Sequence, residues 1–140
     1  MSFKVRTFSP LALVTVLMLA TACHGESTGP GNALVAGTYA LASVSGRGPA
    51  SGSLTLTTTG QAERRVRFTQ VAGSPEYVAR GTYTVRPGGV IELQLREDDG
   101  RSQYVWRPAA VLVGGAVELR YPDPADGPDI VERYERGLSL

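Results

Sequence analysis

The chain is expected to be all-β, an antiparallel up-and-down meander of about eight strands forming a small barrel or strongly curled sheet. Three observations predict this. Apolar and polar residues alternate with a period of two, segment after segment, which is the signature of strands with one wet face. Glycine and proline are abundant, 17 and 9 residues, and most of those in the barrel region fall between these segments at the spacing of turns. No segment offers a crossover helix, which a parallel sheet would need.

The strands are read in order. Gly37, Tyr39 and Leu41 alternate with Thr38 and Ala40, and Leu54 and Leu56 with Thr55 and Thr57. Val66 and Phe68 alternate with Arg65, Arg67 and Thr69, and Gly81, Tyr83 and Val85 with Thr82 and Thr84. Ile91, Leu93 and Leu95 alternate with Glu92, Gln94 and Arg96. Tyr104 and Trp106 alternate with Gln103 and Arg107, and Val117, Leu119 and Tyr121 with Glu118 and Arg120. Val111-Leu112-Val113 is a short apolar run that suits one more strand. Residues 129–136 (DIVERYER) alternate poorly and leave helix and closing strand both open. Among the turns, Asp99-Gly100 and Gly114-Gly115 fit tight primed hairpins.

The inward set is then Tyr39, Leu41, Leu54, Leu56, Val66, Phe68, Tyr83, Val85, Ile91, Leu93, Leu95, Tyr104, Trp106, Val117, Leu119 and Tyr121. Its aromatics bury about 150–250 Å² each, so an eight-stranded barrel should be mostly filled. Inward Gly37 and Gly81 should open some room, leaving at most a narrow apolar pocket near Trp106. Tyr39, Tyr83, Tyr104 and Trp106 are therefore the candidate ligand-contacting residues. Gly37-Thr38-Tyr39 and Gly81-Thr82-Tyr83 repeat, either as two strands of like composition or as a duplicated half-barrel.

The first 23 residues read differently. Lys4 and Arg6 precede an apolar run, Leu11 to Ala20, and small residues lead into Cys23, the only cysteine. A charged start, an apolar run and a small-residue site mark a cleaved export signal. The run is short of the ~20 residues that span a bilayer. Residues 20–23, Ala-Thr-Ala-Cys, resemble the lipobox of bacterial lipoproteins, with Ala20 where that pattern favours leucine. The resemblance implies cleavage before Cys23, a thioether-linked diacylglycerol on its sulfur and acylation, typically by palmitate, of its freed amine. Stable anchoring takes at least two acyl chains, since one binds only marginally. Position 24 is His rather than Asp, which by the same resemblance implies the outer membrane in a diderm host. Residues 1–22 are thus the expected signal peptide, 23–33 a lipidated cysteine and flexible tether, and 34–140 the barrel domain.

Loss of Lys4 and Arg6 would leave 12 arginines against 13 acids, a net charge of −1. That is no footprint for nucleic acid. One cysteine forms no intrachain disulfide, so packing alone must hold an exported domain.

Several charged clusters bear on chemistry. Glu97-Asp98-Asp99-Gly100 reads as a solvated hairpin tip rather than a cation site. Asp123 to Asp129 places three aspartates three apart, but lacks the alternating ligands and distant Glu of a calcium loop. Arg64, Arg65 and Arg67 form the densest basic cluster, with Arg65 and Arg67 on one face and Arg64 on the other. A solvated face paired with glutamates is expected there, with contact to anionic headgroups as the alternative. The only histidine is His24, so Ser-His-Asp and Cys-His systems are missing from the domain. No enzyme, metal or cofactor is expected.

Residues Leu34 to Arg136 resemble lipocalin-like small barrels of bacterial lipoproteins. The likeness rests on Gly37-Thr38-Tyr39, where lipocalins carry Gly-x-Trp, and on Arg133 and Arg136 flanking Tyr134. It implies that a late arginine closes over the first-strand aromatic. The function expected is a membrane-anchored extracytoplasmic binding or interaction module. The alternatives are an envelope component docking another protein through a sheet edge or loops, and a carrier of a small apolar ligand.

Overall fold

A computed structural model describes residues 30–70, 72–98 and 104–137. The strands are β1 (Gly37–Val44), β2 (Ala50–Leu56), β3 (Gln61–Phe68), β4 (Tyr77–Val85), β5 (Val90–Glu97), β6 (Val105–Trp106), β7 (Ala109–Val113), β8 (Ala116–Tyr121) and β9 (Ile130–Arg136). A single helical turn and a half, α1 (Pro30–Val35), precedes them. Every pairing is antiparallel, and β4 pairs β5 while β1 pairs β9, so the meander closes into a barrel.

The barrel has eight staves. β6 and β7 lie along the same edge of β5, Trp106 opposite Leu95 and Ala110 opposite Ile91. Arg107 and Pro108 separate them, and proline has no N–H to give the ladder. β6 and β7 are therefore one stave broken at Pro108.

Alternation predicts the lining well. Tyr39, Leu54, Leu56, Val66, Tyr83, Ile91, Leu93, Leu95, Val117 and Leu119 are buried. Leu41, Phe68, Val85 and Trp106 pack partly buried against them. Small residues complete the lining at Ala62, Ala79 and Ala110, which alternation alone does not single out. Tyr104 departs from the expected inward set. It is 71% exposed, because it precedes β6 and no ladder fixes its face.

Residues 129–136 resolve as the closing strand. Ile130, Glu132 and Tyr134 point inward and are buried. The alternation looked poor because one inward slot carries a glutamate. At the chain's other end, the last positions of the expected tether, Pro30 to Ala33, belong to α1, and Asn32 is buried. Cys23, the export signal, the Asp99-Gly100 turn and Gln103 lie outside the described residues.

The room expected beside the inward glycines does not open: a Cβ at Gly37 would meet the Arg136 guanidinium at 3.6 Å, and those at Gly81 and Gly52 would meet backbone. A Cβ at Gly81 would lie 1.8 Å from the Gln94 carbonyl oxygen, and one at Gly52 would lie 2.1 Å from that of Arg65. Each glycine lets a neighbouring strand's backbone cross closely where the sheet curls shut. The β7–β8 hairpin turns through Gly114 and Gly115 at φ 56° and 83°, the two positive values of the primed turn expected there.

Candidate functional site

Glu132 sits in the middle of the lumen with no exposed surface, and Arg64, also buried, reaches it from β3. β9 and β3 are separated by β1 and β2, so the pair spans the barrel's interior. Arg64 Nε donates to Glu132 Oε2 at 2.8 Å, and its Nη2 donates to Oε1. Tyr121 Oη donates to Oε1 at 2.6 Å and Tyr134 Oη to Oε2 at 2.7 Å. The carboxylate thus accepts four hydrogen bonds, which is what a buried charge requires. The Arg64 guanidinium also lies over the Trp106 ring, 5.0 Å from its centre. Trp106 meets Tyr121 edge-on at 4.9 Å.

Burial pushes the Glu132 carboxyl up, but the Arg64 fork and the two tyrosine hydroxyls outweigh it, and its pKa is held below the ordinary value. Tyr121 and Tyr134 are pushed up, first by burial and then by the Glu132 charge. The centre is ionised and buried, and the Glu132 carboxylate is saturated with donors. It fills space and fixes side chains.

At the opposite end of the barrel from Trp106, α1 closes the mouth. Tyr39 Oη donates to the Val35 carbonyl at 2.6 Å. Tyr83 Oη donates to the Thr57 carbonyl at 2.5 Å and lies 3.3 Å from that of Asn32. Val85 N–H donates to Asn32 Oδ1 at 3.2 Å. The two repeated Gly-Thr-Tyr tyrosines therefore hold the same short helix. Arg136 lies over the Tyr39 ring at 5.2 Å and donates through Nη2 to Tyr39 Oη at 2.9 Å. The same nitrogen reaches the Leu34 and Ala36 carbonyls. Arg133, the other arginine singled out, instead faces outward and pairs with Glu118 and Glu135.

The expected apolar pocket beside Trp106 is displaced by this arrangement, since Arg64 and Tyr121 occupy that position. The larger groove, about 570 Å³, opens at the α1 mouth between Leu34, Leu112, Ala116, Arg133, Glu135 and Arg136. A smaller one, about 300 Å³, lies on the wall beside Thr55, Gln61, Glu63 and Arg80. Of the four candidate contact residues, Tyr39 alone lines the larger groove. Tyr83 is buried beneath α1, Trp106 is packed in the lumen network, and Tyr104 lies outside the lumen. The structure does not bring the four together.

Arg65 pairs with Glu63 and Glu76, and Arg80 with Glu63 and Asp98. That is the wet, glutamate-paired strand face expected of Arg65. Asp123 accepts the Ala125 N–H at 3.0 Å and stands 3.6 Å from Arg47. No group of three metal-ligating side chains occurs among the described residues. Sequence reasoning missed Glu132 as a centre. The signal was available: Ile130, Glu132 and Tyr134 share one parity, as do Ala62, Arg64 and Val66, so each strand carries one charge of opposite sign at an inward slot. A scan against protein-family models, a search of curated proteins and a search of solved structures found no match.

Proposed function

We propose that this chain is a membrane-anchored extracytoplasmic lipoprotein whose barrel is an interaction module of lipocalin-like build with a filled lumen. The observation that carries the choice among binding modes is the Arg64–Glu132 bridge across the interior. A carrier of an apolar ligand would need an open lumen, and here the Arg64–Glu132 pair together with Trp106, Tyr121 and Tyr134 fills it. Recognition therefore uses the outer surface and the rims. Closure of the sheet leaves no long free strand edge among the described residues, so loops and rims, rather than strand addition, meet a partner. The Arg136–Tyr39 stacking supports the lipocalin likeness, because a late arginine over the first-strand aromatic is what that resemblance implies. Residues Ala20 to Cys23 support the anchor.

Trp106 is the only tryptophan and touches the lumen network, so its fluorescence reports on anything that enters. Titrating the full chain with palmitate should leave that emission unchanged at stoichiometric concentrations. Saturable one-to-one quenching would replace the interaction module with a carrier.

A further inference from the structure

We infer that the α1 mouth of the barrel is its membrane-contacting face, with Leu34 and the Val113 hairpin tip seated in the lipid interface and the Tyr104–Trp106 end turned outward. This rests on the lipid anchor proposed at Cys23, and the structure adds the orientation.

Exposed aliphatic side chains gather at this end, while the exposed tyrosines Tyr77 and Tyr104 lie at the other. Leu34 is 78% exposed on α1, on the rim of the groove that Leu112 also lines. Val113, exposed, ends β7 at the hairpin tip. Val90 and Val111 stand directly opposite each other across the β5–β7 ladder, and both are exposed. Surface apolar residues scattered singly need no explanation, but a group around one rim does. The chain supplies the occupant. α1 begins at Pro30, four positions before Leu34, and six residues lie between Cys23 and Pro30, so seven residue steps join them. Fully extended, seven residues reach at most about 25 Å. A lipidated Cys23 therefore holds Leu34 close to the headgroups. The far end stands off by a further strand length, about 25 Å for seven or eight residues at ~3.3 Å each.

Charge at the rim argues for apolar seating rather than attraction to anionic lipid. Arg133 is paired with Glu118 and Glu135, and Arg86 with Glu92. Arg136 is spent on Tyr39 and backbone carbonyls. The Gly114-Gly115 turn adds no side-chain bulk, so the tip can settle to the depth of an interfacial side chain, about 5–10 Å. Seated this way, the module presents the loops around Tyr104 and Asp123 to a partner.

The test uses the full lipidated chain in vesicles of phosphatidylethanolamine and phosphatidylglycerol whose acyl chains carry bromine, a short-range quencher. Tryptophan is added at one site at a time, by Leu34→Trp, Val113→Trp or Tyr104→Trp, with Trp106 as the internal reference. Bromination should remove about half of the emission of the Leu34→Trp and Val113→Trp chains, since the added ring lies within interfacial depth. It should leave the wild-type and Tyr104→Trp chains unchanged. The loss should persist in ~1 M salt, where the Debye length falls to about 3 Å. Equal, unquenched emission from all chains that still sediment with the vesicles would overturn the orientation and leave the anchor standing. Quenching of Tyr104→Trp alone would reverse it. Wild-type chain left in the supernatant would remove the anchor, and the orientation with it.

Discussion

Replacing Arg64 by Met should invert the protein's response to pH. In the native chain Glu132 titrates below its ordinary value, while in the unfolded chain it returns to about 4.3–4.5. A carboxyl with a depressed folded pKa contributes stability that is complete above the unfolded pKa and is lost as pH falls through the folded one. The wild type should therefore weaken only below about pH 4.5 on this account. In Arg64→Met the attraction is gone and the burial remains, so the Glu132 pKa should rise above the unfolded value. Its contribution then runs the other way: full below the unfolded pKa, and lost as pH rises through the raised one. Both side chains are almost wholly enclosed, 11% and 0% exposed, so the magnitude belongs to buried pairs rather than surface ones. Breaking such a pair from one side costs about 3–5 kcal/mol, against about 5–15 kcal/mol for a whole domain. Arg64→Met should cost that much at pH 7 and recover up to about 1.4 kcal/mol for each unit of acidification down to the unfolded pKa. Adding Glu132→Gln keeps an acceptor for Tyr121 and Tyr134 without the charge. The double variant should be more stable at pH 7 than Arg64→Met alone, a non-additivity expected only of coupled sites. Urea unfolding followed by circular dichroism and Trp106 fluorescence, at pH 4.5 and pH 7, measures all of this. A loss under about 1 kcal/mol with an unchanged pH profile would refute the bridge, since that is the scale of an exposed pair.

Three further outcomes test the rest of the framework. Tyr39→Ala should cost about 3 kcal/mol or more, as aromatic truncations in cores do, because the ring is buried and its hydroxyl joins Arg136 to α1; Thr38→Ala on the outer face should cost under about 0.5 kcal/mol, and equal costs by chemical denaturation would refute the register. Gly81→Ala should lose more than about 2 kcal/mol, since its methyl would meet the Gln94 carbonyl at 1.8 Å; a neutral change in melting temperature would place the two strands further apart. The raised Tyr121 and Tyr134 pKa values keep both hydroxyls protonated in the fold, so their contribution is complete below the unfolded tyrosine pKa of about 10 and falls away above it. Tyr134→Phe should flatten that alkaline loss, and an unaltered slope would contradict the assignment.

Much of the barrel was legible because the lining and the turns obey simple rules. Inward Leu54, Leu56, Ile91, Leu93, Leu95, Val117 and Leu119 announce themselves by alternation, and Gly114-Gly115 by the positive φ their turn demands. What escaped was set by tertiary partners. β9 hid its period because Glu132 is acceptable inside only with Arg64 and two tyrosines around it, none of them near it in sequence except Tyr134. α1 has six residues and no apolar period. It exists because Tyr39, Tyr83 and Val85 supply partners for its backbone and for Asn32. Tyr104 looked inward by parity, but parity holds only within a paired strand, and the ladder begins one residue later. Arg136 was legible through the lipocalin likeness, and its contact with Tyr39 is the part of the candidate site that the sequence located in advance.

The functional proposal depends on the proposed anchor at Cys23, and the decisive measurement is the mass of the N-terminal peptide from the membrane fraction. The expected peptide begins at Cys23 and carries a diacylglyceryl thioether, and Cys23→Ser should abolish the modification. A chain that retains Met1, with an unmodified Cys23 thiol, would contradict it.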